Sequence, residues 1–324
     1  MSEEESNNGQ PTQGWNTYWE GVSGSQEFSS GGVSHPGFAV FWADALGEFF
    51  AARPESRTLD IATGSGTVIE SLSLVPGISL DTVSCVDIAQ AAVDGVKNRF
   101  PDVNGVVADA NLIPLEPGQF DLITSQFGIE YAGPGAIDEA VRLLAPGGYL
   151  IFLMHIHSGA LHRSCLATID ALSRVRQTNF FTFTKTYFEA GFAAVRGADR
   201  APYESAAKQL NPVIQELESI LTQHGENVAD GTIYYLYTTF QDIHNRIQYY
   251  EPDEVFDWLK TADMELSKHL ERMRSMNNSA LNKAEIEGIR TILINKGLAP
   301  SQAEPLLFEG DPLPFAWALQ ASKV

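Results

Sequence analysis

A glycine turn followed at intervals by acids is the part of this chain that could do chemistry. Thr58-Leu59-Asp60-Ile61-Ala62-Thr63-Gly64-Ser65-Gly66-Thr67 reads as a buried strand running into a turn that opens a helix. At Gly64 and Gly66 the backbone can approach a ligand closely, and the N–H groups at the helix start face whatever lies above the turn. Ile69 stands where a dinucleotide fingerprint needs its third glycine, which disfavours a pyrophosphate. Asp87 ends the next apolar run and Asp109 the one after. A carboxylate at the carboxyl end of a parallel strand can accept two hydrogen bonds from a cis-diol, as a ribose requires. The plainer alternatives are a helix N-cap before Ala89 for Asp87 and an ordinary loop aspartate for Asp109. Asp60 lies within an apolar strand, where a carboxylate needs buried partners, either turn amides or a ligand ammonium.

Asp60 to Gly66 resembles motif I of the class I S-adenosylmethionine-dependent methyltransferases, in the form found among the quinone-biosynthesis branch. Val86-Asp87-Ile88 is similar to the acid that ends that superfamily's second strand, and Val107-Ala108-Asp109-Ala110 before Ile113-Pro114-Leu115 resembles its adenine segment. Phe120 to Gln126 resembles the fourth strand, and Leu144-Ala145-Pro146-Gly147-Gly148 the turn into the fifth. Ala62 replaces the first glycine of the usual motif, a change tolerated in the quinone-type branch. The resemblance covers residues 57 to 156 and the last few tens of residues.

The resemblance implies S-adenosylmethionine as cofactor, S-adenosylhomocysteine as its product, and methyl transfer to an oxygen, nitrogen or carbon of a small molecule. It puts Asp60 near the methionine part, Asp87 and Ile88 at the ribose, and Asp109 and Ala110 at the adenine. Ala62, Thr63, Gly64 and Gly66 form the cradle, and Gln126 and Phe127 line the pocket. Trp15 and Tyr18, in the dense aromatic run Trp15-Asn16-Thr17-Tyr18-Trp19, either form a lid over the ligand or anchor the N-terminal arm on the core. A hydroxyl or ammonium acceptor needs a base, and His155, His157, Glu130 and Tyr131 are the candidates; the histidines also read as satisfied structural residues. A carboxylate acceptor needs none, and no metal is required. Competing readings are a non-catalytic cofactor-binding module with a protein-interaction cap, another sulfonium-group transferase, and a nicotinamide-dependent oxidoreductase.

These residues need a sheet to hold them. Apolar runs near 57–62, 81–87, 104–109, 120–126 and 148–155 alternate with helical patterns, which predicts an α/β fold with a mostly parallel sheet wound on both faces. Pro305 to Glu309 and Pro314 to Ala321, around a turn at Gly310-Asp311-Pro312, read as an antiparallel hairpin that brings a Rossmann-like sheet to seven strands. Lys283 to Asn295, stopped by Gly297, is the helix before it. Residues 157–278 are too many for an ordinary connection and are mostly helical in pattern, so they are expected to form a substrate-selecting cap over the pocket mouth. The expected division is a disordered tail over 1–14, a core over 15–156 and 279–324, and the cap between.

Composition bounds the partners. The 324 residues are 44% hydrophobic and carry a net charge of −20, which argues against nucleic acid or an anionic membrane surface. Two cysteines, Cys85 and Cys165, support neither a disulfide framework nor a cysteine zinc site. The acidic start lacks the apolar core of a secretory signal and no apolar run is long enough to span a bilayer, so the cytoplasm is the expected location. The cap's first part is its most basic stretch, with Arg163, Arg174, Arg176, Lys185, Arg196, Arg200 and Lys208. These either face an anionic acceptor or pair with the protein's own acids. Tyr237 and His244 form a second candidate surface, read alternatively as packing. A homodimer is a further expectation.

Overall fold

The apolar runs pair into one seven-stranded sheet. The computed structural model describes Trp15, Tyr18, Trp19 and residues 35–324, so the tail expected over 1–14 lies outside the described residues. Strands β1 (Thr58–Ile61), β2 (Val83–Asp87), β3 (Asn104–Val107), β4 (Phe120–Gln126) and β5 (Leu144–His155) run parallel. Strand β7 (Ala316–Lys323) is antiparallel to β5 and to the edge strand β6 (Leu298–Leu306), giving the order β3-β2-β1-β4-β5-β7-β6. Chain order reverses on either side of β1, and in open α/β sheets ligands sit at that reversal, outside the carboxyl ends of the strands.

Both faces are covered because the strands alternate. Ile123 and Phe152 join Ile137, Ala140, Ile286 and Leu293 on one face, whereas Leu122, Ile151 and Leu153 join Phe38, Trp42 and Leu46 on the other. The latter three belong to α1 (Pro36–Ala52), which starts at a proline after His35, whose Nδ1 accepts the Gly37 amide at 3.0 Å. Buried residues at Phe38, Trp42, Leu46, Phe49 and Phe50 give α1 one apolar stripe. Helices α2 (Thr67–Ser73), α3 (Gln90–Arg99), α4 (Ile129–Ala132) and α5 (Pro134–Leu143) connect the parallel strands.

The chain divides into two compact units, one running to His162 and resuming at Ser279, the other spanning Arg163–Asn278. The second is built from the greater part of α6 (Ala160–Gln177), with α7 (Phe180–Val195), α8 (Ala201–His224), α9 (Thr232–Asn245) and α10 (Pro252–Ser279). Its own core gathers Phe180, Phe188, Leu217, Ile233, Leu236 and Leu266. Several of its cations meet acids within it: Arg174 binds Glu216 at 2.7 Å, Lys185 lies 3.8 Å from Glu189, and Arg176 pairs with Asp263. Tyr237 donates to Glu218 at 2.7 Å, and His244 Nδ1 lies 2.6 Å from the buried Tyr187 hydroxyl, which also meets Tyr203 at 2.6 Å. Both Tyr237 and His244 are thus engaged in packing and hydrogen bonding within this unit.

Helix α11 (Lys283–Asn295) has the expected bounds and a complete capping box between Asn282 and Glu285. The hairpin departs from expectation. Its first strand is Leu298–Leu306 rather than 305–309, and it contains Pro300 and Pro305 with a register shift after Pro300. Prolines are tolerated because β6 is an edge strand, and without apolar alternation its pattern conceals it. The aromatic end of the run expected as a strand instead folds back: Phe308 stacks on His35 at 4.4 Å, and Asp311 meets His35 Nε2 at 3.2 Å. Strand β5 also begins earlier than 148, with Leu144 beside Phe120 before a bulge resets the pairing at Tyr149.

Candidate functional site

The ends of β1, β2, β3 and β4 enclose a cavity of about 580 Å3. Its floor is the turn after β1. There the Thr63 amide donates to the Val86 carbonyl at 3.0 Å and the Gly66 amide to the Thr63 carbonyl at 2.8 Å. Ala62 and Gly64 line the cavity, both in left-handed backbone with φ of 53° and 50°. Alanine is strained there where glycine would not be, so the departure from the usual motif has a physical cost on the order of 1 kcal/mol. Gly128, after β4, leaves room for it: a Cβ at 128 would collide with that of Ala62.

Asp87 ties the second strand to this turn. One carboxylate oxygen accepts the Gly64 amide at 2.9 Å and the other the Ala89 amide at 2.9 Å. The residue lines the cavity and is 6% exposed, and burial raises its carboxyl above the usual carboxylate range. The capping and ligand readings of Asp87 are therefore compatible, because a carboxylate has roughly four acceptor positions and two are taken. Ile88 lines the cavity beside it.

Asp109 lies two residues beyond β3, in an exposed turn that also lines the cavity with Ala110 and Asn111. Its Oδ1 accepts the Asn111 backbone amide at 2.8 Å and the side-chain amide at 2.9 Å. The turn is held from below by Glu139 and Arg142 of α5. Glu139 accepts the Ile113 amide at 2.7 Å, and Arg142 donates to the Ile113 and Leu115 carbonyls at 2.9 Å each. Hydrogen bonds from Arg142 hold the Glu139 carboxyl below its ordinary value. Glu139 and Arg142 carried no motif in the sequence, since both act on the backbone of Ile113 and Leu115, brought close only by the fold; Asn111 was passed over although it lies two residues from Asp109.

Aromatic rings close the remaining sides. Phe127, Tyr131, Trp15 and Trp19 line the cavity. Trp15 meets Tyr131 edge-on at 5.4 Å, while Tyr18 packs on Trp19 at 4.7 Å and lies off the cavity lining. Trp19 stood out only as part of the aromatic run, yet its indole covers Gly64.

Other expected site residues stand behind the wall. Asp60 is 1% exposed and spends its oxygens on the hydroxyls of Thr63 at 2.7 Å and Thr124 at 2.8 Å, so its buried partners are side chains. Burial pushes its carboxyl up to about 7, with the nearby Asp87 charge adding to the rise. Gly66 is the α2 N-cap at φ 79°, and a Cβ there would meet Val96 at 2.9 Å, so it serves the turn and its packing on α3. Gln126 accepts the indole N–H of Trp42 at 2.5 Å, which draws it to α1 and away from the cavity lining. Glu130 and His155 are also off that lining: the Glu130 side chain is 0% exposed and the His155 side chain 2%, with Nδ1 and Oε1 2.8 Å apart. Of the four residues expected to handle a proton, only Tyr131 lines the cavity. His157 is exposed and lies 2.9 Å from the Ser158 hydroxyl. Among the described residues, no three His, Cys, Asp or Glu side chains gather to hold a metal.

Residues 59–152 match the sequence profile of the methyltransferase domain. This segment is a methyltransferase domain of the class I, S-adenosylmethionine-dependent superfamily. A demethylmenaquinone methyltransferase from Beutenbergia cavernae is 35% identical over 117 residues, covering 36% of this chain and 47% of that protein. The ubiquinone/menaquinone biosynthesis C-methyltransferase UbiE of Dinoroseobacter shibae is 34% identical over 121 residues, covering 35% and 47%. The chain thus spans about half the length of these curated relatives. Among solved structures, an S-adenosylmethionine-bound amino pentose methyltransferase from Micromonospora echinaspora is 26% identical, covers 37% of this chain and 52% of that one, and has a TM-score of 0.31.

The methyltransferase domain fits this cofactor on its own geometry. The cavity lies within the common range for small-ligand sites, roughly 300–1,000 Å3. It has a buried acid positioned for a diol, a polar turn at Asp109 and Asn111, and aromatic walls. Behind it, the Cys85 thiol in β2 is pushed up to about 12, first by burial and then by the neighbouring Asp60 and Asp87.

Proposed function

We propose that the chain is an enzyme that binds S-adenosylmethionine in this cavity and transfers its methyl group to a small-molecule acceptor. The observation that carries the reading is Asp87, a buried acid at the end of β2 locked to the Gly64 turn and lining the cavity. Its free acceptor positions suit the two ribose hydroxyls, Asp109 and Asn111 suit the adenine edge, and the turn at Ala62 and Gly64 suits the amino-acid end. When bound, the cofactor supplies a methyl group already activated by positive sulfur. The protein's work is then to orient the acceptor and exclude water, and orientation alone is worth on the order of 7–11 kcal/mol. Trp15, Trp19, Phe127 and Tyr131 supply the apolar walls. Asp60 supports the turn through Thr63.

The names of the relatives, both methyltransferases of quinone biosynthesis, support a small molecule as acceptor. The helical unit Arg163–Asn278 is assigned substrate selection, on the ground that an insertion can vary with the substrate while the scaffold that carries it stays the same. Calorimetry with S-adenosylmethionine, S-adenosylhomocysteine and NAD tests the cofactor. Both sulfur compounds should bind and NAD should not. A labelled-methyl assay across metabolite fractions then tests turnover; binding without any labelled product would favour a non-catalytic module.

A further inference from the structure

Two phenols and an imidazole meet inside the helical unit. Tyr187 of α7 is 4% exposed, and its hydroxyl lies 2.6 Å from that of Tyr203 in α8 and 2.6 Å from His244 Nδ1 in α9. Tyr203 is half-buried and His244 is exposed. An exposed imidazole favours the tautomer with its proton on Nε2, which leaves Nδ1 as an acceptor. Donation therefore runs from Tyr203 to Tyr187 to His244. Burial, and next the hydrogen bond with Tyr203, hold the Tyr187 hydroxyl above its ordinary value, so at neutral pH it gives up an electron only together with its proton.

The two rings approach as closely as their hydroxyls. Their centroids lie 4.9 Å apart with the planes tilted by 36°. Since the oxygens are nearer to each other than the centroids are, the two C–O axes converge, and the ortho carbons beside the hydroxyls are among the ring atoms that face one another. Glycine at position 191, one turn beyond Tyr187, makes this approach possible: a Cβ there would meet the Tyr203 ring at 3.3 Å. Phe240 packs on the Tyr187 ring at 5.8 Å and stacks on His244 at 6.1 Å. Both phenols are thus fixed in place before any reaction, the condition under which proximity lowers the barrier to a bond.

We infer that Tyr187 and Tyr203 form an oxidative modification site, at which a one-electron oxidant of the peroxide class joins the two rings through a carbon–carbon bond, with His244 taking the Tyr187 proton. The half-buried Tyr203 is the point of entry for the oxidant, and Tyr187 refills it across the shared hydrogen bond. Each phenol loses one electron and its hydroxyl proton, that of Tyr187 to His244 Nδ1 and that of Tyr203 to water. The two phenoxyl radicals couple at ortho carbons, and the hydrogen on each of those carbons then passes to the oxygen, restoring two phenols. Two electrons and two protons have left; with hydrogen peroxide as the terminal oxidant they convert one peroxide to two waters. The product fastens α7 to α8, and the cofactor takes no part.

The test oxidises the full chain with persulfate and a photo-excited ruthenium–bipyridine complex, then digests the monomer with trypsin. Cleavage after Lys185, Arg196, Arg200 and Lys208 releases Tyr187 in the peptide 186–196 and Tyr203 in 201–208. Mass spectrometry should find these two joined with the loss of two hydrogens, and dityrosine fluorescence should rise with the same time course. Tyr203→Phe, which keeps the ring, should abolish the joined peptide. His244→Phe, which keeps a ring against Phe240, should slow its formation roughly tenfold, the worth of one lost hydrogen bond. In urea the yield should fall at least tenfold, because the unfolded chain no longer holds the rings together. The inference is overturned by no joined peptide, by links through the exposed Tyr234, Tyr235 or Tyr249 forming ahead of it, by an equal yield in urea, or by an equal rate in His244→Phe.

Discussion

Trp19 stands over Gly64, so that a methyl group added at position 64 would meet the indole carbons at 2.7 Å. Trp19 and the β1 turn therefore form one wall of the cavity. Gly64→Ala faces two costs, the left-handed backbone at φ 50° and the collision with the ring. Adding Trp19→Ala removes only the second. We expect Gly64→Ala to weaken S-adenosylhomocysteine binding at least tenfold, about 1.4 kcal/mol, and the double variant to recover part of that loss by calorimetry. No recovery would place the whole cost in the backbone.

Asp87 both lines the cavity and holds the turn after β1, and two substitutions separate the proposed ligand role from the structural one. Asp87→Ala removes the acceptors of the Gly64 and Ala89 amides together with those offered to the cavity. It should cost roughly 1.5–3 kcal/mol of cofactor affinity and lower thermal stability as well. Asp87→Asn keeps one amide bond and loses the charge, so its stability should fall less than its affinity. Equal cofactor affinity in wild type and both variants would remove Asp87 from the ribose.

Glu139 tests whether the turn at Asp109 and Asn111 is held from beneath. Glu139→Gln leaves the Ile113 amide an acceptor but discards the charge that fixes Arg142, which in turn holds the Ile113 and Leu115 carbonyls. Denaturant unfolding should show a loss of roughly 1–3 kcal/mol. Because its carboxyl is held below its ordinary value, Glu139 contributes stability present above the unfolded value of 4.5 and lost as the pH falls through the lower folded value. The difference between wild type and variant should therefore shrink in acid.

Sheet and cofactor turn were legible because their signals are local: apolar runs of strand length, glycines where the backbone must turn left, and acids at strand ends. The same reading put Gln126 in the cavity, and failed because the demand of Trp42 for a hydrogen-bond acceptor comes from a helix far away in sequence. It set His155 and Glu130 beside the acceptor, but whether a strand-end side chain faces the cavity or a neighbouring turn depends on the approach of α4 to β5. Strand β6 was misplaced since an edge strand can carry prolines and need not alternate. What the sequence conceals is pairing between distant segments.

Asp60 gives the most direct electrostatic test. In the folded chain its carboxyl is raised to about 7 by burial, and unfolding returns it to its ordinary value of 3.8. Between these values the folded state holds a proton that the unfolded state has lost. Asp60 therefore contributes stability that is complete below about pH 4 and disappears as the pH rises toward 7. The slope approaches about 1.4 kcal/mol per pH unit at its steepest. Asp60→Asn removes the titration while keeping the site filled. The Thr63 and Thr124 hydroxyls can each donate or accept, and Thr124 also has the Leu59 carbonyl within 3.5 Å. Urea unfolding of the ligand-free protein between about pH 5 and 9 should show wild-type stability falling relative to the variant and the two curves running parallel from about one pH unit above the folded value. Asp87 titrates in both proteins, so the difference reports Asp60 and its repulsion with Asp87. A constant difference across the range would mean that Asp60 remains ionised in the folded chain.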